Sequence, residues 1–196
     1  MPIISTLAGA SARGYGLGPL VQTSTGAYES IASTSVGSGG SAYVEFTSIP
    51  STYTHLQIRA ISRTDAAVTW NEDDLTFNSD TGNNYSNGQV YGNGTSIATD
   101  AEQTRASIYL NFRPGASASS SIFGVYVCDI LDYKNTNKYK STRTFGGTDN
   151  NNGGYVLLRS GLWLNTNAIT SIKITPRTGN FVQYSQLALY GIRESA

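Results

Sequence analysis

Carboxylates come first among the residues that could do chemistry, because a glycosidase needs two of them facing one another across a sugar bond. Here Glu29, Glu45, Glu72, Glu102 and Asp129 are scattered through the chain, and only Asp129 lies in an apolar run. Asp129, followed by Asp132 and Lys134, reads as a strand that ends in a salt-bridged turn. A second group, Asp73, Asp74, Asp80, Asn83 and Asn84, could offer oxygen ligands to a hard cation. Its spacing lacks the D-x-[DN]-x-[DN]-G pattern and late Glu of a calcium loop, so a solvated acidic loop is the preferred reading. His55 and Cys128 are each the only residue of their kind. One imidazole and one thiol make no conventional zinc site, and a lone cysteine makes no intrachain disulfide. No catalytic, cofactor or metal residue is assigned, and enzymatic activity is not expected. Trp70, Tyr85 and Tyr91 remain, set among Asn, Asp and Gly in segments read as loops. Aromatic faces stack on sugar rings and amides bond to hydroxyls, so these three are candidate surface or glycan contacts.

The elements that must position these residues are strands. Apolar residues alternate with polar ones over 28–36, 42–49, 55–63, 74–78, 89–91, 107–112, 122–131, 139–145, 156–164, 171–176 and 185–193. Between them lie Gly, Asn and Pro turn signals such as Pro50-Ser51-Thr52, Gly92-Asn93-Gly94 and Asn150-Asn151-Asn152-Gly153-Gly154. No helical stripe is sustained, and only a short helical turn over 100–105 is expected. Segment 122–131 is apolar on both alternate sets, Tyr126, Cys128 and Ile130 on one and Val125, Val127 and Leu131 on the other. That pattern predicts a central strand covered on both sides. The expected fold is all-β, an antiparallel jelly-roll-like β-sandwich of roughly eight to ten strands.

Two domains of unlike character follow. Residues 1–26 sustain no period and carry glycines at 9, 14, 16, 18 and 26. Ile3, Ile4, Leu7, Tyr15 and Leu17 are spread along them as candidate partner-anchoring residues. The segment reads as an extended Gly-rich arm that docks on something else, and 27–196 as the sandwich. Composition supports extensive contact between subunits. Only 13% of residues are charged, against about 25% in ordinary globular chains. Basic and acidic residues number 13 each, so no excess of positive charge is present to neutralise phosphates, and nucleic acid is excluded as an expected partner. No signal peptide or membrane-spanning run is read.

Four phrases carry a resemblance: GAYESIASTSVGSGGSAYVEFTSIPSTYTHLQIRAISRT, LTFNSDTGNNYS, ILDYKNTNKYKSTRTFGG and SIKITPRTGNFVQYSQLALYGIR. Together they span about residues 27 to 193 and resemble a module of tailed-bacteriophage virion proteins, notably from phages of aquatic bacteria. The phrase LAGASARGYGLG is similar to leader peptides of phage tail and fibre proteins. The resemblance implies a structural virion protein with no catalytic residues to transfer. The expectation is a tail-associated fibre, knob or adaptor subunit located in the virion. It would be a homo-oligomer, a trimer by likeness to fibre proteins, held to other virion proteins by its N-terminal arm. Host-surface glycan is a further candidate partner. The alternatives are a capsid decoration or head-fibre protein, and a free carbohydrate-binding module.

Overall fold

The structure, a computed structural model, describes residues 27–151 and 153–193. The arm and its five candidate anchors lie outside them. The described residues form twelve strands: β1 (Tyr28–Ser35), β2 (Val44–Phe46), β3 (His55–Ser62), β4 (Trp70–Phe77), β5 (Tyr85–Gly92), β6 (Ile97–Arg105), β7 (Ile108–Pro114), β8 (Gly124–Leu131), β9 (Lys140–Asp149), β10 (Gly154–Trp163), β11 (Ile172–Pro176) and β12 (Gln186–Ile192). Eight form one antiparallel sheet in the order β1-β12-β3-β8-β9-β10-β5-β6, and four form a second in the order β2-β11-β4-β7. The chain is an all-β antiparallel sandwich, as expected. The eight-and-four division does not establish a jelly-roll order.

The sequence pattern undercounts strands where the polar content is high. Segment 97–105 is strand, not helical turn: Asp100, Ala101 and Glu102 pair with Gln89, Gly88 and Asn87 of β5. Pairing with a neighbour overrides the weak local preference of such residues. Segments 70–73 and 85–88, read as loop, are likewise strand. The turn at Gly92-Asn93-Gly94 is as read. It closes the β5–β6 hairpin, with Asn93 Oδ1 accepting from the Thr95 and Ser96 amides at 3.0 and 2.9 Å.

The core lies between the sheets. Leu56, Ile58, Cys128, Ile130, Leu187 and Leu189 of the large sheet meet Leu75, Phe77, Ile172 and Ile174 of the small one. At its centre β7 is buried along its whole length, with Phe112 alone half-exposed. It belongs to the small sheet through β4, yet the large sheet curls around it. Asn111 Nδ2 donates to the Val125 carbonyl of β8 at 3.2 Å, and Thr148 of β9 donates to the Phe112 carbonyl at 2.7 Å. On its other flank Asn87 Oδ1 of β5 accepts from the Tyr109 amide at 2.8 Å.

So close an approach requires small residues opposite. A Cβ at Gly161 of β10 would stand 2.5 Å from Ile108 Cγ2, and one at Gly146 of β9 would stand 2.5 Å from Asn111 Oδ1. The inner face of β9 is otherwise Lys140, Thr142, Thr144 and Thr148, all buried, while Tyr139, Ser141, Arg143 and Phe145 are exposed. Both faces of this strand are mostly polar, and its one large apolar residue, Phe145, points outward.

Overpacking sets the first prediction. Gly161→Val should destabilise the fold by about 1–3 kcal/mol or more, read as a lower urea midpoint. Gly37→Ala should change little, because nothing lies within 4 Å of a Cβ there.

Candidate interaction face

The outer face of the large sheet is built from the residues left over when the inner face packs. Register places them in rows across the strands. One row runs Ile61, Val125, Gly147, Val156, Gly92 and Ile97. The next runs Arg59, Val127, Phe145, Leu158 and Val90. Ile97, Phe145, Val156 and Val125 are 80, 62, 59 and 50% exposed. β8 is therefore central, fourth of eight, but covered on one side only by the described residues. This corrects the expectation of cover on both. Ile61, Val125, Phe145, Gly147 and Val156 line one side of an open hollow of about 760 Å³ that extends over Ser33, Ser35 and Ala188 of β1 and β12.

A polar row edges the apolar rows. Gln57 donates to Asp129 Oδ1 at 2.8 Å, Arg143 pairs with Asp129 Oδ2 at 2.8 Å, and Arg59 donates to Gln57 Oε1 at 2.8 Å. The Arg59 guanidinium also lies over the rings of Tyr28 and Tyr190. The charges are thus tied sideways along the sheet. Asp129 is part of this row, not of a strand-ending turn. That turn contains Asp132, which pairs with Lys138 and whose backbone amide donates to His55 Nδ1 at 2.9 Å.

Other sequence candidates are placed differently. Trp70 and Tyr91 sit on β4 and β5, not on loops, and both are half-buried. Tyr155, which sequence reasoning did not single out, joins them: its ring lies 5.1 Å from Trp70, 5.9 Å from Tyr91 and 4.8 Å from Phe112. Beside this group Trp70, Tyr155, Asn93, Ser117 and Ser119 line a polar hollow of about 370 Å³. Tyr85 is a correction. It is fully buried in the core, stacked with Trp163 and tilted against Phe77. Its hydroxyl donates to the Asp80 carbonyl at 3.0 Å and accepts from the Phe77 amide at 3.2 Å. A buried tyrosine needs such partners, and nothing in the sequence distinguished it from Tyr91.

The acidic group is also dispersed. Asp73 and Asp74 are β4 residues, not a solvated loop, and Asp73 is wholly buried against Arg113. Asp74 accepts from Ser107 at 3.0 Å. Asp80 organises the turn before β5, accepting from the Gly82 amide, Asn84 Nδ2 and Trp163 Nε1 at 2.9, 2.8 and 2.8 Å. Burial pushes the Asp80 carboxyl up, but these hydrogen bonds outweigh it and hold it below the ordinary value. Among the described residues no three His, Cys, Asp or Glu side chains gather as metal ligands. Glu29, Glu72 and Glu102 each pair with an arginine: Arg193 at 2.8 Å, Arg159 at 2.5 Å and Arg105 at 3.0 Å. Burial raises the Cys128 thiol to about 12.

Compared with protein-family models, curated proteins and solved structures, the chain finds no match.

The Asp73–Arg113 pair carries a pH dependence. Burial pushes the Asp73 carboxyl up to about 7, against the pull of Arg113 beside it. Its ordinary value is 3.8. Between these values the folded chain holds a proton that the unfolded chain has lost. The contribution of this group is therefore full below about pH 4 and is lost as pH rises through 7. Urea midpoints should fall between pH 5 and pH 8, and Asp73→Asn should flatten that fall. A slope that persists in Asp73→Asn would assign it to another group.

Proposed function

We propose that the chain is a structural subunit of a tailed-phage virion, a non-enzymatic assembly protein. The observation that carries the reading is the two-row apolar face on the outside of the large sheet. Soluble monomers rarely leave a contiguous apolar patch above a few hundred Å² in water, and larger ones mark interaction sites. The low charge of the chain fits the same role, since charges are costly to bury at an interface. The resemblance in its four sequence phrases directs the reading to phage virions. Within that reading the protein is a tail-associated fibre, knob or adaptor subunit, a homo-oligomer and by likeness to fibres a trimer. Residues 1–26 anchor it to a neighbouring virion protein through Ile3, Ile4, Leu7, Tyr15 and Leu17. Contact with host-surface glycan, if the subunit makes it, belongs to the polar hollow beside Trp70 and Tyr155.

Burying one large apolar side chain is worth roughly 1.5–3 kcal/mol, and ordering each arm residue costs about 1–2 kcal/mol of backbone entropy. Five anchors alone do not offset 26 ordered residues, so backbone hydrogen bonds to the partner must contribute.

The test is quantitative mass spectrometry of purified particles with the full chain and with residues 1–26 deleted. Tens of copies or fewer per particle are expected, with loss from particles on deletion while the β-rich circular dichroism spectrum persists. Hundreds of copies would place the protein on the capsid as a decoration protein. Normal incorporation of the shortened chain would remove the arm as anchor, and absence of the full chain from particles would overturn the reading.

A further inference from the structure

We infer that the outer face of the large sheet is where copies of this chain bind one another, the Phe145 ring of one copy entering the Gly147 hollow of the next. The inference rests on the reading as an assembly subunit and names the surface that reading requires.

Three observations favour a second copy as the occupant. Shape is the first. The apolar rows cross six strands, β3, β8, β9, β10, β5 and β6, roughly 24 Å at about 4.8 Å per strand. Within that span the face offers both a projection and a recess. Phe145 stands 62% exposed. Next to it Gly147, between Val125 and Val156, carries no side chain and leaves a gap in the β9 side of the hollow. Ring and recess are separate positions on one face, so a neighbour rotated about an axis can present its ring to this recess. Such a contact closes into a ring of copies when the rotation closes.

Charge is the second. Arg59, Arg143 and Asp129 are the charged side chains of the central rows, and each is bonded laterally to Gln57 or to another of the three. Two copies of this face therefore bring no unpaired charge to a dry contact. They border the apolar rows as the polar rim borders the core of a protein interface. A strongly charged partner would find no complement here, and the chain itself carries a formal net charge of zero.

Extent is the third. The two rows cross six of the eight strands of the large sheet, a breadth suited to a folded partner, since specific protein interfaces draw on many residues from each side. A short peptide or a small ligand would leave most of the face in water.

The experiment is native mass spectrometry of the purified full chain at micromolar concentration, with outward-facing substitutions. The wild type should be an oligomer. Phe145→Asp and Val156→Asp should each shift it to single chains, with circular dichroism unchanged because neither side chain enters the core. Tyr43→Asp adds the same charge at a residue 46% exposed beside the small sheet, and it should leave the oligomer intact. A monomeric wild type overturns the inference, as does an oligomer that survives both face substitutions or is lost equally in Tyr43→Asp. Dissociation on deleting residues 1–26 with Phe145→Asp still associated gives the contact to the arm and also overturns it. Particle incorporation is a separate measurement, so this face can fail while the virion reading stands, and the reverse.

Discussion

Everything in this fold follows from burying β7 on both sides. A strand enclosed by five others is cut off from water, so its polar groups call for partners inside. Asn111, Thr148 and Asn87 supply those partners, and Arg113 enters with Asp73 and a carbonyl, Glu72 O at 2.9 Å. The Arg113 guanidinium also lies 5.1 Å from the centre of the Phe181 ring. Interiors are packed as densely as organic crystals. The volume taken by β7 must therefore be given up by the strands that cross it. Gly146 and Gly161 give up whole side chains, and Thr142 and Thr144 present short ones.

That concession shapes the outside of the sheet. A strand has two faces and a period of two. Where the inner set of β9 is small and hydroxylated, its bulk lies on the outer set. β10 is mixed: Leu157, Arg159 and Trp163 are buried beside Gly161, while Val156 and Leu158 point out. On β9 the exposed positions are thus continuous with the core constraint and not an isolated surface feature. They also explain why polarity misleads: Lys140 is buried because its ammonium donates to the Asn135, Lys138 and Thr166 carbonyls at 2.6, 3.0 and 2.9 Å. Burial lowers the Lys140 pKa, as expected for an ammonium taken from water.

What the sequence made legible was local. Alternation and Gly or Asn turns located most strands and the turn at Asn93, because those signals depend on neighbours a few residues away. Segment 122–131 was read correctly as central. Its cover was misread, since apolar residues on both sets describe the strand and not what lies above it. Strands β5 and β6 were largely missed because Asn87, Gln89, Asp100 and Glu102 gain their place from pairing with each other. Trp70 and Tyr91 were picked from composition and do fall in one aromatic group. Tyr155, the ring that joins them, lies over sixty residues away and carried no local sign. Asp73 looked like a loop carboxylate because its partner, Arg113, is forty positions on.

Faces and edges of the large sheet are treated in opposite ways. An open edge strand invites strand addition without limit, and proteins blunt it with charge, bulges or short strands. The β6 edge carries Asp100, Glu102 and Arg105, exposed or half-exposed. The β1 edge is broken by a register shift between Ser30 and Ala32 and carries the Glu29–Arg193 pair. In the small sheet the β2 edge is three residues long and includes exposed Glu45. The two apolar rows run across the broad face between these edges and reach an edge strand only at Ile97. The proposed contact there is bounded by the width of the sheet and positioned by one ring and one neighbouring glycine. Such a division favours closed assembly through faces over open growth through edges, which is the requirement on a subunit that must associate a defined number of times and then stop.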